Sequence, residues 1–315
     1  MTDNGGQWER GLLERLATAS LREQRRSRMW GIFFKLLFFV YLSIIIVLAM
    51  DWRGTGEEGG GGIHTALVQL DGLIAPGSDA SAERINASLR AAFKDSSTKG
   101  VVLEINSPGG SPVQAQNIYD EIRRLREKYP RIPLYAVVQD ICASGGYYVA
   151  AAADRIYVTR SSIVGSVGVR MDSFGVTGLM QKLGVERRLL TAGKNKGFLD
   201  PFLPEDPKQK AYAQAMLDQI HQQFIDDVRQ GRGKRLKETP DMFSGLIWTG
   251  QQSVALGLAD GYGTLHSVAR DVIKADKVVD YTQKVSFAEK FARRFGASAA
   301  SALADFAVRD EPVLH

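Results

Sequence analysis

The sequence predicts an α/β fold, with a mainly parallel β-sheet covered by helices and one transmembrane helix before it. Three observations predict this class. Residues 30–50 form an apolar run with a single charge, short β-branched segments alternate with amphipathic segments from residue 63 onward, and glycine-rich turns follow two of the strands. Such alternation is typical of parallel sheets, because parallel neighbouring strands need a crossover connection.

The apolar run "WGIFFKLLFFVYLSIIIVLAM" has about the ~20 residues that cross a bilayer. Its charge, Lys35, lies near one end, where the amine can reach the headgroups. Arginines precede the run and acidic residues follow it, so the positive-inside rule predicts a cytoplasmic N-terminus. No convincing cleavage site follows, which favours an uncleaved signal anchor. We therefore expect a single-pass protein of the cell inner membrane whose remaining chain is periplasmic.

The chain of 315 residues is 44% hydrophobic, enough for a full core. Its net charge of +5 is modest and lies partly in the N-terminal tail, so nucleic-acid binding is not expected. The single cysteine, Cys142, cannot close an intramolecular disulfide. No His, Cys or carboxylate cluster has ligand spacing, so neither a metal nor a cofactor is predicted. The predicted segments are a cytoplasmic tail at 1–28, the transmembrane anchor at 29–50, a Gly-rich linker at 51–62, a folded domain at 63–280 and a C-terminal helical extension at 281–315.

Strands and helices alternate in the folded domain. Short β-branched or alternating runs predict the strands, and apolar residues repeating every three or four positions predict the helices. The predicted strands are 65–74, 100–106, 132–138 and 154–160. The predicted helices are 81–93, 113–128, 144–152, 208–229, 251–260 and 265–275.

Two turns have the same form, "EINSPGGSP" at residues 104–112 and "ASGG" at residues 143–146. In each, a buried strand ends and glycines lead into a helix. Glycines at such junctions let backbone N–H groups point at one spot, which is what an oxyanion needs. Taken alone, however, each motif is more often a tight turn or a close contact between a helix and the sheet.

The serine of the second turn, Ser144, begins a predicted helix. A serine at this position is more often a helix cap than a nucleophile, so a catalytic role requires a base nearby. No histidine follows a predicted strand or a glycine turn, which disfavours a Ser-His-Asp triad without excluding it. The histidines are His64, His221, His266 and His315.

A lysine is the other candidate base, because burial can lower the pKa of an amine by about 3–5 units. Lys194 and Lys196 lie in the glycine-flanked apolar segment "LLTAGKNKGFLDPF". Lysines in a loop are more often ordinary surface charges, so this segment alone decides nothing. A buried amine also needs a hydroxyl or carbonyl to hold it. Candidate hydroxyls in "SSIVGSVGV" are Ser161, Ser162 and Ser166.

Five segments together resemble one family. In order they are "NSPGG", "ASGGYYVA", "GSVGV", "GKNKGFLDPF" and "GLIWTGQQSVALGLADGYG". Over residues 63–275 they resemble the signal peptide peptidase A family, the membrane-anchored Ser/Lys peptidases of family S49, in its short form. The resemblance implies a ClpP/crotonase-like fold and a homo-oligomer, in which Ser and Lys of one site can come from adjacent protomers.

The resemblance also implies the roles of individual residues. It assigns the nucleophile to Ser144, the general base to Lys196, and the hydroxyl that orients the amine to Ser166. The implied substrates are cleaved signal peptides and other extended apolar peptides, and residues 29–50 would contact membrane lipid. The implied oxyanion-hole donors are Gly145 with Gly109 or Gly110.

Three alternatives remain open at this level. A crotonase-like enzyme could use the same oxyanion hole for an acyl-CoA thioester, although a signal anchor does not suit a cytosolic enzyme. A membrane-anchored scaffold without catalytic activity would leave the lysine as plain surface charge. A nucleophilic Cys142 is the weakest alternative, because it lies two residues from the glycine turn and has no histidine partner.

Overall fold

The computed structural model describes residues 25–26, 28–47 and 62–283. The unit Gly59–Lys284 is compact, the N-terminal helix belongs to another unit, and each is described by itself. The predicted tail, linker and C-terminal extension lie outside the described residues, apart from a few positions at their edges.

The N-terminal helix α1 covers Arg28–Val47. Its most apolar stretch of 18 residues has a mean hydropathy of 2.3, and none of that stretch is buried. A helix of this length rises about 30 Å, the thickness of the hydrocarbon core of a bilayer. Among the described residues, this is the one helix long and apolar enough to cross a membrane, as the sequence predicts.

An eight-stranded sheet forms the centre of the larger unit. Its strand order is β6-β5-β3-β2-β1-β8, while β4 pairs with β3 and β7 pairs with β4. Every pairing is parallel except that of β5 with β6, which confirms the predicted mainly parallel sheet. The strands are β1 His64–Asp71, β2 Thr98–Ser107, β3 Leu134–Ala143, β4 Arg155–Val158, β5 Ile163–Gly165, β6 Ile247–Thr249, β7 Gly261–Tyr262 and β8 Val278–Asp280.

The helices cover both faces of the sheet. The main core lies between one face and α2, α3 and α4, and the other face packs a smaller cluster against the π-helical turn Val268–Ile273. The alternation of β-branched strands and amphipathic helices therefore gives the predicted layered architecture. The helices are α2 Ala82–Lys94, α3 Pro112–Lys128, α4 Gly145–Ala151, α5 Thr177–Leu183, α6 Pro207–Arg232, α7 Gly250–Ala255 and α8 Leu265–Ser267.

Strand β3 divides at its end, and this division positions the site. Its first half pairs with β4, whereas its last three residues pair with β5, with Ala143 opposite Gly165. Because parallel strands point the same way, the residues that follow β3 and β5 emerge side by side at the carboxyl edge of the sheet.

The long helix α6 packs on α4. The Phe224 ring stacks on the Tyr148 ring with centroids 4.6 Å apart, and the Tyr148 hydroxyl donates a short hydrogen bond to Asp227. At the end of α6 the buried Arg232 pairs with Asp260 at 2.7 Å. Helix α6 is thereby fixed against the helix that begins directly after Ser144.

Candidate active site

Ser144 lies in the sharp turn between β3 and α4. Its backbone has φ 52° and ψ −123°, a conformation that residues with a side chain rarely adopt. Such strain costs about 1–3 kcal/mol and persists only where the surroundings impose it. A strained strand-to-helix turn of this kind exposes the nucleophilic serine in α/β-hydrolases. The conformation therefore keeps Ser144 out of the helix and makes it a candidate nucleophile.

The Ser144 side chain does not cap the helix. Ser144 occupies the N-cap position of α4, yet its hydroxyl makes no capping hydrogen bond. Its backbone is held from both sides, because its N–H donates to the Gly165 carbonyl at 2.8 Å and its own carbonyl accepts from the Tyr148 N–H at 2.9 Å. The turn is thus fixed by main-chain bonds, and the half-buried hydroxyl is left for another partner.

The first glycine turn is held by Ser107. The buried Ser107 hydroxyl donates to the Gly72 carbonyl at 2.6 Å and accepts from the Gly109 N–H at 3.1 Å. The carbonyl of Gly109 in turn accepts from the Ile74 N–H at 2.8 Å. These bonds fix the turn against the segment that follows β1.

The two glycine turns touch each other. A Cβ atom on Gly109 would lie 2.6 Å from the Gly145 nitrogen and 2.8 Å from the Ser144 Cβ, and the Gly109 φ of 99° is a conformation natural only to glycine. A Cβ atom on Gly110 would lie 2.1 Å from the Ile74 oxygen. Glycine is therefore required where "NSPGG" approaches the serine.

Two N–H groups remain free beside Ser144. A Cβ atom on Gly145 would lie 3.3 Å from the Gly110 nitrogen, so the two residues are neighbours. Within the part of the chain that the structure describes, neither the Gly110 nor the Gly145 N–H donates to another residue, whereas the Gly109 N–H is taken by Ser107. The geometry therefore offers Gly110 and Gly145 as an oxyanion-binding pair.

Ser166 is the neighbour of Ser144 across the strand ends. Ala143 pairs with Gly165, so each serine is the next residue after a paired position. Ser166 is half-buried and, like Ser144, has a positive φ, here 54°. Its N–H donates to the Leu246 carbonyl at 2.7 Å. The structure thus brings both predicted serines together.

Lys196 is placed differently. It lies in an exposed turn, where its N–H donates to the Gly193 carbonyl at 3.0 Å, and its neighbour Lys194 is exposed as well. Within the described residues of the single chain, the Lys196 amine makes neither a hydrogen bond nor an ion pair. The described part of the chain therefore does not supply the burial that a basic amine needs.

The turn that carries Lys196 is nevertheless anchored to α6. The Leu199 N–H donates to the Gln209 side chain at 2.8 Å, with Leu199 at φ 51°. The Asp200 carboxylate accepts from the Phe202 N–H and from Arg187, which lower its pKa in that order. A cavity of about 760 Å³ borders this turn, between residues 171–206 and α6.

The described histidines do not bond to Ser144. His64 bonds to Tyr281 at the opposite edge of the sheet, and His266 is exposed. His221 of α6 donates instead to the Val167 carbonyl at 3.1 Å. His315 lies outside the described residues. Cys142 is fully buried, and burial raises the pKa of its thiol, which disfavours a reactive thiolate.

The contacts that Ser107 and His221 make at this site were not predicted from the sequence. The contact of Ser107 could have been predicted from "NSPGG", because serine side chains in turns often hydrogen-bond to nearby backbone groups. His221 has no such signal, since it lies in the middle of a long polar helix. In the described residues, no group of three His, Cys, Asp or Glu side chains could hold a metal ion.

Comparisons with known proteins identify the family. The model for peptidase family S49 matches residues 126–279, and the Clp protease model matches residues 68–164. A Methanocaldococcus jannaschii protein named "Putative protease" is 34% identical over 243 residues, covering 73% of this chain and 77% of that protein. An Enterococcus faecium protein named "Putative signal peptide peptidase SppA" is 29% identical over 236 residues, covering 72% and 68%.

A longer relative shares only part of its length with this chain. A Brucella abortus protein named "Na(+)/H(+) antiporter NhaA" is 43% identical over 217 residues, covering 67% of this chain but 29% of that protein. The chain therefore spans less than a third of this relative. The family matches and the parallel sheet agree on a ClpP-like fold, and the chain belongs to peptidase family S49.

Proposed function

We propose that this chain is a membrane-anchored serine endopeptidase that uses Ser144 as nucleophile and Lys196 as general base. The observation that carries the proposal is the turn at Ser144, which is strained, uncapped and adjacent to two free N–H groups. A strained serine beside preorganised donors is the arrangement that acyl transfer requires. The expected substrates are cleaved signal peptides or other extended apolar peptides.

The chemistry follows from these groups. The neutral Lys196 amine takes the Ser144 proton while the serine oxygen attacks the peptide carbonyl carbon. The oxyanion that forms accepts hydrogen bonds from the Gly110 and Gly145 N–H groups, each worth about 2.7–4 kcal/mol to the transition state. The lysine then gives the proton to the departing amine, which leaves an acyl-enzyme. Water, deprotonated by the same amine, releases the acid and restores the serine.

Ser166 has an orienting role in this scheme. Its hydroxyl would accept a hydrogen bond from the Lys196 amine and keep the nitrogen lone pair directed at Ser144. Its place beside Ser144 at the strand ends supports this role. Gly109 would act by its small size rather than as a donor, because its N–H is already bonded to Ser107.

We infer that a second copy of the chain supplies the lysine. In the single chain Lys196 is exposed, and the surrounding segment 170–206 exposes large apolar side chains, an arrangement typical of a protein interface. Packing this segment on a neighbouring copy would cover the apolar surface and remove water from the amine, which favours the neutral form. The exposed side chains include Met171, Phe174, Leu179, Leu183, Val185 and Leu190.

The membrane arrangement follows from the same proposal. Helix α1 would span the inner membrane, with residues 29–50 in lipid and the arginine-rich tail in the cytoplasm. The domain at 63–280, tethered by the linker 51–62, would be periplasmic and close to peptides that remain in the membrane. The extension at 281–315 would follow that domain. Protease digestion of sealed vesicles of each orientation tests this topology.

A covalent probe tests the nucleophile. The full-length protein in detergent is treated with a fluorophosphonate, and the labelled peptide is identified by mass spectrometry. We expect label on Ser144 and none in Ser144→Ala, whose turnover of an apolar peptide falls by a factor on the order of 10³ or more. Label on a different residue, or full turnover by the Ser144→Ala variant, would overturn the proposal.

A further inference from the structure

The segment after β5 is held at successive residues. The Gly165 carbonyl accepts from the Ser144 N–H at 2.8 Å, and the Ser166 N–H donates to the Leu246 carbonyl at 2.7 Å. Both bonds join backbone to backbone, so no substitution of a side chain removes them directly. They fix the residue before Ser166 and the nitrogen of Ser166 itself.

The third anchor is a side chain. His221 Nε2 lies 3.1 Å from the Val167 carbonyl oxygen. A carbonyl oxygen only accepts, so Nε2 carries the proton, and in the neutral ring Nδ1 does not. Among the described residues, no other side chain hydrogen-bonds to the backbone of residues 165–168. One imidazole therefore supplies the side-chain hydrogen bond to the peptide that follows Ser166, while the Val167 side chain packs in the main core.

His221 is itself well placed to act as an anchor. Phe224, three residues further along α6, stacks on Tyr148 of α4 at 4.6 Å. Residues three apart on a helix share a face, so the face of α6 that carries His221 packs toward α4. Because α4 begins directly after Ser144, His221 connects the Ser166 segment to the element that fixes the nucleophile.

The strain at Ser166 gives this anchor a function. A residue with φ 54° relaxes unless its surroundings determine its conformation. We propose that His221 is a positioning residue, which holds Ser166 in its strained conformation through the Val167 carbonyl and thereby directs the Ser166 hydroxyl. The inference rests on the proposed function, in which that hydroxyl orients the lysine amine.

This role differs from that of a general base. A base would need its free nitrogen at the Ser144 hydroxyl, and His221 makes no hydrogen bond to Ser144 within the described structure. A positioning residue acts on the chemical step but not on substrate binding, so its loss should lower kcat and leave KM nearly unchanged. A residue that donates from the same distance should restore activity, which no substitute for a base would do.

Three variants of the full-length protein separate these roles. His221→Leu removes the donor, and we expect kcat to fall on the order of 10-fold to 100-fold with KM changed by less than about two-fold. His221→Gln retains an N–H donor at a similar reach, and we expect kcat within a few-fold of the parent. The matched control is His266→Leu, at an exposed histidine of α8, and should change neither constant. An unchanged kcat in His221→Leu, or a Gln variant that is folded but equally slow, overturns the proposal.

A double substitution tests whether His221 acts through Ser166. If it does, adding His221→Leu to Ser166→Ala should cost no further kcat, whereas independent roles give multiplied losses and refute the inference. Should the Leu variant not fold, the Gln and Asn variants make the same comparison, because the shorter Asn amide falls short of the carbonyl. Turnover by Ser144→Ala in these assays would instead reject the proposed function.

Discussion

The two halves of the candidate site are built in opposite ways. The Ser144 half lies at the carboxyl ends of the strands, where backbone hydrogen bonds and the side chains of Ser107 and His221 fix its turns. The Lys196 half lies in the segment 170–206, which is largely exposed and contains one short helix, α5. Parallel strands bring their carboxyl ends together whatever else the chain does, but Lys196 is exposed among the residues that the structure describes. The groups proposed for the serine half thus lie within one chain, whereas the proposed lysine base would need a surface from a second copy.

The largest predicted effect tests directly whether the two halves of the site come from different copies of the chain. Ser144→Ala and Lys196→Ala should each abolish turnover when they are purified alone. If the two halves come from neighbouring copies of a ring, an equal mixture should regain about a quarter of the parental activity, because one site in four receives an intact serine and an intact lysine. Subunits are exchanged in mild detergent, and peptide turnover is measured before and after exchange.

A matched substitution keeps this test specific. Lys194→Ala removes an equally exposed amine two residues away and should leave turnover within about two-fold of the parent. A mixture of Ser144→Ala and Lys196→Ala that stays inactive, although the exchange of subunits is demonstrated by labelled protein, contradicts the shared site. Loss of activity in Lys194→Ala but not in Lys196→Ala would mean that Lys194, and not Lys196, is the general base.

The second effect concerns the contact between the glycine turns. Gly109→Ala places a Cβ 2.6 Å from the Gly145 nitrogen, which must shift an oxyanion donor. Since loss of one such donor costs about 10²–10³ in kcat, we expect a fall of that size together with a lower Tm. Gly184→Ala is the control, because Gly184 also has a positive φ, 67°, but nothing lies within 4 Å of its Cβ position. Equal losses in both variants would mean that backbone strain alone is responsible.

The third effect is expected at Ser166. Ser166→Ala keeps the fold and removes the hydroxyl proposed to orient the amine, so we expect kcat to fall by a factor of about 10–100 with little change in KM. Ser161→Ala, at an exposed serine of the same segment, should leave kcat and KM unchanged. Fluorophosphonate labelling rates separate the steps, since poor orientation of the base slows acylation of Ser144. A parental labelling rate in Ser166→Ala contradicts the role.

The sequence is informative wherever a signal is long or local. Strands β1 to β3 have eight or ten residues each, long enough for their β-branched or alternating runs to predict them. Strands β5 to β8 have two or three residues each, too few for any pattern, and tertiary contacts decide their pairing. The predicted helix at 144–152 starts one residue later, because Ser144 has non-helical dihedrals.

The same distinction applies to the site. Glycine turns after strands predict where Ser144 and its donors lie, because strand ends meet at one edge of the sheet. The choice of Gly110 over Gly109 depends on a hydrogen bond to Ser107 that no spacing reveals. The contact of His221 with Val167 joins residues 54 positions apart. Lys196 is exposed within the described residues, and the surface that we propose to bury it belongs to a second copy, so neither one sequence nor one copy would define its environment.

The smallest predicted effect lies at the opposite edge of the sheet, away from both halves of the site. There the Tyr281 hydroxyl donates to Asp95 at 2.5 Å, while His64 lies 3.0 Å from the Tyr281 oxygen and 4.0 Å from Asp95. The bond from Tyr281, followed by one from the Ser97 backbone, lowers the pKa of Asp95 below its ordinary 3.8, and burial raises the pKa of Tyr281 to about 12.

The sign of the pH effect follows from that direction. A carboxyl whose pKa is lower in the folded state stabilises the fold fully above 3.8, and this contribution is lost as the pH falls through the folded value. Asp95→Asn should therefore flatten the fall in Tm between about pH 5 and pH 2, whereas the exposed Asp79→Asn should not. Turnover at neutral pH should be unchanged in both variants, because Asp95, Tyr281 and His64 contact neither Ser144 nor the segment 170–206. A slower Asp95→Asn enzyme would mean that the two edges of the sheet are coupled and that the serine half is less self-contained than its backbone bonds imply.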